Sequence, residues 1–166
     1  MTAGDFFLTI NPFMDDDFLW DSDISEMLQL VDPDKAVHVV KHEYEPKSKS
    51  KQNGNLQTNY KMKNWSSLMI FNCSHKNTKN LSLENVNIKS PKWLHRMEWC
   101  NDDEILEIPK SYNYLVDYYD DEDIKALHFT DGGPWHPGYE NVQYGNEWLE
   151  YLDSNEKEKM VELRIN

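Results

Sequence analysis

The feature that most constrains this chain is a run of three aspartates, Asp15 to Asp17, set between the apolar runs 13–14 and 18–20. In an extended segment, side chains at positions i and i+2 point to the same side, so Asp15 and Asp17 are placed to share one cation while Asp16 points away. Hard carboxylate oxygens suit Mg²⁺ or Mn²⁺, which complete their coordination with water and nucleotide phosphates. An acidic loop that caps the following helix is the alternative interpretation.

Composition limits the chain to one domain and makes some partners unfavourable. With 166 residues, of which 39% are hydrophobic, the chain is long enough for one core and too short for two full domains. The net charge of −13, from 30 acidic and 17 basic residues, disfavours nonspecific binding to nucleic acid or to an anionic membrane surface. An aromatic content of 13% suits both core packing and surfaces that bind planar or sugar rings.

The cysteine content and the absence of long apolar runs indicate where in the cell the protein is expected to be. The chain has two cysteines, Cys73 and Cys100, and shows no signal peptide and no apolar run of about 18 residues. We therefore expect a cytoplasmic protein with reduced thiols and no membrane span, although two cysteines also allow one disulfide.

The spacing of apolar residues predicts an α/β chain in which short strands alternate with helices. The predicted helices run from Asp21–Asp23 through Val31, from Ser90-Pro91 through Met97, and from Asn146 to Leu163 with a polar break near Asp153 to Lys159. The predicted strands are Ala36–Val40, Trp65–Cys73 and Lys125–Phe129.

A polar loop from Glu45 to Thr58 carries Lys47, Lys49 and Lys51, a basic island in an acidic chain. The pattern favours a solvated loop, and a mobile flap that meets an anionic substrate is the functional alternative.

Four strings follow one another along the chain: Asp15–Ile24, Trp65–Cys73, Asp102–Leu106, and His128-Phe129-Thr130 followed by Gly132-Gly133-Pro134-Trp135. Together they resemble metal-dependent glycosyltransferases of the GT-A type, particularly the family 8-like group, over roughly residues 13 to 152. The resemblance implies an α/β fold, a partial GT-A (Rossmann-like) mixed sheet flanked by helices. It also implies transfer of a sugar from a nucleotide-sugar donor to a glycan or other hydroxyl acceptor.

The resemblance assigns roles to individual residues. Asp15, Asp17 and His128 would hold Mn²⁺ or Mg²⁺, and the cation would bind the nucleotide diphosphate; a structural histidine is the alternative for His128. Asp102 and Asp103 would be catalytic groups near the transferred sugar, with a helix N-cap pair as the alternative. The remaining assignments are Gly132, Gly133 and Trp135 as contacts to the donor's diphosphate or sugar, and Ser66, Ser67 and Asn72 as residues that line the substrates.

The family has a nucleotide-binding βαβ half before its Asp-x-Asp strand, whereas the acidic run here begins at residue 15. The resemblance therefore implies a single glycosyltransferase-like domain, residues 1–166, that is N-terminally truncated relative to the family. Such a domain would work with a second polypeptide or as a homo-oligomer, or it would be a noncatalytic relative that binds a carbohydrate or a protein partner.

Overall fold

Seven strands form two mixed sheets in the computed structural model, which describes residues 9–43, 45, 62–120 and 123–165. The strands are β1 (Ile10–Met14), β2 (Phe18–Trp20), β3 (Val37–Val39), β4 (Leu68–Asn72), β5 (Ile105–Glu107), β6 (Tyr114–Leu115) and β7 (Ala126–His128). The helices are α1 (Ile24–Leu28), α2 (Leu83–Ile88), α3 (Pro91–His95), α4 (Gly145–Glu150) and α5 (Ser154–Ile165). Short 3₁₀ turns occupy Trp65–Ser67, Lys76–Asn80, Asp102–Glu104 and Lys110–Asn113.

The first sheet has the order β1-β4-β3-β5 and the second has the order β2-β7-β6. In the first sheet, β4 is antiparallel to both β1 and β3, and β5 is parallel to β3. In the second sheet, β7 is antiparallel to β2 and parallel to β6. The predicted α/β class with mixed sheets flanked by helices is therefore confirmed.

Strand β4 lies inside the first sheet, between β1 and β3, and its residues are buried on both faces. Its burial is almost complete from Leu68 to Ile70, as expected for a strand covered on two sides. The predicted strand Trp65–Cys73 is correct for its second part, whereas Trp65–Ser67 form a 3₁₀ turn that leads into it. Trp65 is only 9% exposed and donates from Nε1 to the carbonyl of His42, so this tryptophan belongs to the core.

The helix boundaries follow local capping. Asp23 caps α1 by accepting from the Ser25 amide at 2.8 Å, and the helix ends at Leu28, earlier than the predicted Val31. The prediction at Ser90 is confirmed, because its side chain accepts from the amide of Trp93 at the start of α3. The C-terminal break is shorter than predicted, because Asp153 and Glu156 each accept from the other's backbone amide and so start α5 as a capping box.

A buried histidine sits in the middle of the first sheet. His38 is fully buried in β3, where Nε2 accepts from the Asp32 amide at 2.8 Å and Nδ1 lies 3.3 Å from the Ile70 carbonyl oxygen. Burial lowers the pKa of His38, so the neutral ring is the form that these two backbone contacts require.

Two predictions concern properties other than the fold. The basic loop with Lys47, Lys49 and Lys51 lies outside the described residues. Cys73 and Cys100 are both free thiols, and none of the described helices has the length and apolar character needed to cross a bilayer.

Candidate metal centre

The acidic run connects the two sheets and is fixed at both ends by backbone hydrogen bonds. Asp15 follows β1, and its amide donates to the carbonyl of Ser67 at 2.9 Å, at the start of β4. The carbonyl of Asp17, just before β2, accepts from the amide of Phe129 at 3.0 Å, at the end of β7. The segment is therefore tied to both sheets, which limits where its carboxylates can lie.

Asp15, Asp17 and His128 come together at this junction. One possible ligand atom from each residue lies within 4.8 Å of those from the other two. His128 Nε2 is 3.3 Å from Asp17 Oδ1, and its ring is stacked on Phe18 with centroids 4.5 Å apart. His128 is 2% exposed, whereas Asp15 is exposed, so the group is open to solvent on the Asp15 side.

A chain of buried hydrogen bonds fixes which nitrogen of His128 carries a proton. The Ser67 hydroxyl donates to the Asn64 carbonyl at 2.6 Å, so Ser67 Oγ accepts from Asn113 Nδ2 at 2.9 Å. The amide of Asn113 is thereby oriented with Oδ1 toward His128 Nδ1, 2.8 Å away. Nδ1 carries the proton in this arrangement, and in the neutral ring Nε2 carries the lone pair.

This arrangement fits a cation. His128 Nε2 faces Oδ1 of Asp17, a buried carboxylate oxygen 3.3 Å away. Two electron-rich atoms at this distance are stable only with a proton or a metal cation beside them. A histidine whose second nitrogen donates to a protein oxygen is also the usual arrangement around bound metals. The two carboxylates suit Mn²⁺ and Mg²⁺, and the imidazole favours Mn²⁺, the softer of these two cations.

A second histidine close to the site does not add charge to it. His42 is 3% exposed, and its Nδ1 lies 2.6 Å from the hydroxyl of Tyr119. Burial, followed by the proximity of His128, lowers the pKa of His42 to about 3. His42 is therefore neutral at any pH at which a phosphate ligand would be studied.

The glycines after β7 serve the turn and the packing of Trp135. Gly132 has φ of 141°, and its amide donates to the Phe129 carbonyl at 2.8 Å, so this amide closes a turn rather than pointing at a ligand. A Cβ on Gly133 would lie 2.0 Å from Cζ3 of Trp135, because the indole ring packs directly on the glycine. Trp135 also contacts Trp148, with ring centroids 4.6 Å apart. The role of these residues in donor binding stays a prediction.

The predicted substrate residues separate along β4. Ser67 and Ser66 are at the end of the strand next to Asp15, and Ser66 Oγ lies 2.9 Å from His95 Nδ1. Asn72 is at the other end, where Nδ2 donates to the carbonyls of residues 33 and 35 and Oδ1 accepts from the amide of residue 74. Asn72 thus holds neighbouring loops in place at the strand end opposite Asp15, and its contact with substrate stays a prediction.

Asp102 and Asp103 lie away from the metal centre. They form a 3₁₀ turn with Glu104 before β5, and the Glu104 carbonyl accepts from the amide of Ala36. This places them beside the Asn72 end of the sheet, about 13 Å, one strand length, from the Asp15 end. The alternative interpretation of Asp102 and Asp103 as a helix N-cap pair is wrong, because the N-cap is Asn101 and the two aspartates are the first residues of the turn.

Glu104 is the buried carboxylate of that turn. It accepts from the Asn101 amide at 2.8 Å and from Asn77 Nδ2 at 2.6 Å. The Asn101 amide in particular lowers the pKa of Glu104. Glu104 therefore secures the approach to β5, a structural role that the acidic string did not distinguish from catalysis.

Sequence reasoning did not identify Asn113 or its partners. Asn113 is fully buried between Tyr112 and Tyr114, and an asparagine inside an aromatic segment was the available signal. Asn64, which accepts from Ser67, also donates from Nδ2 to Thr130 Oγ1 at 2.7 Å and so links the turn before β4 to the segment after β7.

Comparisons with known proteins identify the fold. No family model matches the chain. Protein CDI of Arabidopsis thaliana is 38% identical in an alignment of 156 residues that covers 90% of this chain. The chain spans 60% of the length of that curated relative. Among solved structures, the apo form of the bifunctional glycosyltransferase WbbM is similar with a TM-score of 0.56 and 13% identity, over 95% of this chain and 35% of WbbM. The chain therefore has a glycosyltransferase-like mixed α/β fold.

Proposed function

We propose that this chain is a glycosyltransferase domain that transfers a sugar from a nucleotide-sugar donor to a hydroxyl acceptor and depends on a divalent cation, Mn²⁺ or Mg²⁺. In the transfer, the acceptor oxygen forms a bond to the anomeric carbon, and the bond from that carbon to the diphosphate oxygen breaks. The electron pair of the broken bond goes to the diphosphate, and the acceptor hydroxyl loses its proton to a base.

The observation that carries the proposal is the convergence of Asp15, Asp17 and His128 within 4.8 Å at the junction of the two sheets. The hydrogen bond from His128 Nδ1 to Asn113 leaves Nε2 facing Asp17 Oδ1, and a histidine held by a protein oxygen in this way is the usual arrangement around bound metals, which supports the proposal. The likeness to the fold of WbbM supports the same reaction class.

The charge of the protein explains why a cation would be needed. The chain carries a net charge of −13, and two carboxylates line the site itself. A bound cation would neutralise negative charge on the departing diphosphate as a Lewis acid. Asp15, Asp17 and His128 would hold the cation, and the hydrogen bond of His128 Nδ1 with the Asn113 side chain would keep His128 Nε2 available as a ligand.

Calorimetric titration with UDP and with GDP, each with and without Mn²⁺, tests the proposal. We expect binding that requires Mn²⁺, and we expect Asp17→Asn to abolish it. Asp16→Asn is the matched control, because it removes the same charge from an exposed neighbour outside the ligand set. Circular dichroism checks that both variants are folded.

The two variants separate the possible outcomes. Loss of binding in both would mean that general charge, and not a defined site, controls the affinity. Binding that survives Asp17→Asn would refute the metal assignment. A folded wild-type protein that binds neither nucleotide with Mn²⁺ would refute the catalytic proposal and would favour a noncatalytic protein that binds a carbohydrate or a protein partner.

A further inference from the structure

A cavity of about 290 Å³ lies on one face of the first sheet, next to the candidate metal centre. Four of its lining residues are alternate residues of two neighbouring strands and so lie on one face of the sheet. Phe13 belongs to β1 and Asp15 directly follows that strand, and Met69 and Phe71 belong to β4. Leu81, Leu94 and Trp99 also line it. Its walls are therefore mainly apolar and aromatic.

The polar groups of the cavity are close to one another at one end. Asp15 and Ser66 are neighbours there, because the Asp15 amide donates to the carbonyl of Ser67. His95 joins them through the 2.9 Å contact between its Nδ1 and Ser66 Oγ. Since Asp15 also belongs to the ligand set with Asp17 and His128, the polar end of the cavity is the end that adjoins the candidate metal centre.

We propose that this cavity binds the acceptor, and that the acceptor is an alcohol whose hydroxyl is attached to an apolar or aromatic body rather than a free sugar. The Ser66–His95 pair holds the hydroxyl beside Asp15, and the rings of Phe13, Phe71 and Trp99 contact the body. This assignment rests on the proposed function, because it uses the metal centre to identify the reacting end.

The chemistry of the walls decides between the two acceptor classes. A free sugar carries hydroxyl groups on every side, and those placed against Met69, Phe71 and Leu94 would lose water without gaining a hydrogen bond. An amphipathic alcohol leaves only one polar group to be satisfied, at the end where the polar side chains are. The volume is about twice that of a 150 Å³ engineered cavity that binds benzene, so a body of one or two rings fits.

The test uses 2-phenylethanol as the probe, with ethylbenzene and glucose as matched comparisons. Binding is followed by NMR of methionine methyl groups labelled with ¹³C, and the Met69 signal is assigned with Met69→Leu. We expect a saturable shift of the Met69 methyl with 2-phenylethanol, and weaker binding of both ethylbenzene and glucose. Glucose binding that equals or exceeds that of 2-phenylethanol at this methyl would overturn the proposal.

Two variants assign the binding to the cavity and to its polar end. Leu81→Trp fills the cavity and is expected to weaken binding at least about tenfold, whereas Leu83→Trp adds the same ring at a side chain that is 82% exposed and is expected to change nothing. His95→Leu is expected to remove the preference for 2-phenylethanol over ethylbenzene without abolishing binding of the ring. If His95→Leu still prefers 2-phenylethanol over ethylbenzene, the role of the Ser66–His95 pair is refuted. This test does not depend on whether Leu81→Trp folds.

Parallel titration with UDP and Mn²⁺ separates this inference from the proposed function. Nucleotide binding without 2-phenylethanol binding would refute the inference and leave the proposed function standing. Binding of 2-phenylethanol without nucleotide binding would refute the proposed function. The cavity would then be a binding site for an amphipathic alcohol, but not an acceptor site.

Discussion

Asn113→Ala is expected to destabilise the protein and to weaken the metal centre at the same time. Asn113 is fully buried and makes two side-chain hydrogen bonds, at 2.8 Å with His128 Nδ1 and at 2.9 Å with Ser67 Oγ. Alanine removes both bonds and leaves the N–H of a 2%-exposed histidine without this acceptor.

The magnitude can be worked out from those contacts. Each of the two hydrogen bonds contributes about 1 kcal/mol net, and a buried donor that loses its acceptor costs about 1–3 kcal/mol more, so the free energy of unfolding should fall by roughly 3–5 kcal/mol. With a urea dependence of about 2 kcal/mol per molar, a central value for small proteins, the midpoint of unfolding should fall by about 1.5–2.5 M. On the proposed function, the affinity for Mn²⁺ should also fall about 10- to 100-fold, because nothing then fixes the proton on His128 Nδ1.

Urea unfolding followed by circular dichroism measures the first effect, and calorimetric titration with Mn²⁺ measures the second. Asn141→Ala is the control, because it makes the same change at an exposed position. An Asn113→Ala midpoint within about 0.3 M of the Asn141→Ala midpoint would refute the hydrogen-bond argument. Unchanged Mn²⁺ binding in a clearly destabilised Asn113→Ala would show that Asn113 supports the fold and has no influence on the metal ligands.

Three further predictions concern other parts of the molecule. Gly133→Ala should destabilise by about 1–3 kcal/mol and change the near-UV circular dichroism, because the new Cβ would lie 2.0 Å from the Trp135 ring; an unchanged spectrum would contradict the packing. Burial lowers the pKa of His38, so the unfolded chain binds more protons and stability should fall as the pH drops below about 6.5; His38→Gln should show a smaller loss between about pH 7.5 and pH 5.5, and equal losses would contradict the neutral ring. Burial raises the pKa of the Cys100 thiol to about 12, so an aromatic disulfide reagent at about pH 8 should label exposed Cys73 rapidly and Cys100 slowly, and Cys73→Ser should remove the fast phase.

The candidate metal centre was predictable because its signal is local. The i, i+2 spacing of Asp15 and Asp17 places both carboxylates on one side of an extended segment, and the family resemblance adds His128. The structure brings these three residues together, although the acidic run is a connection between two sheets rather than the edge of a single one. Period-2 spacing describes one strand and contains no information about which sheet the next strand joins.

The predictions for Asp102 and Asp103 depended on chain order and not on spatial position. The parallel pairing of β5 with β3 places the residues before β5 at the Asn72 end of the sheet. A sequence string shows that carboxylates are present and does not show at which end of a strand they lie. Strand direction is decided by pairing between distant segments, here residues 37–39 and 105–107, which no local pattern reveals.

The cavity was not predictable for a related reason. Its lining residues come from several separate parts of the sequence, and most of its apolar members are of types that are ordinary in a core. Leu94 fits the pattern of an apolar helix face, and Trp99 lies a few residues beyond the end of that helix. Neither residue gives any indication in the sequence of a gap between it and the sheet. Cavities arise from imperfect packing between elements, which depends on side-chain volumes and on how the helices are positioned.

The two parts of the proposed site meet at Asp15, and this makes their relationship testable. The Asp15 backbone is tied to the start of β4, its side chain lies within the ligand set of Asp17 and His128, and it also lines the polar end of the cavity. A cation at the ligand set would reduce the negative charge at that end, so an alcohol oxygen would be better tolerated there. If both proposals hold, Mn²⁺ must strengthen the binding of 2-phenylethanol and leave that of ethylbenzene unchanged, and the alcohol must strengthen the binding of Mn²⁺ by the same factor.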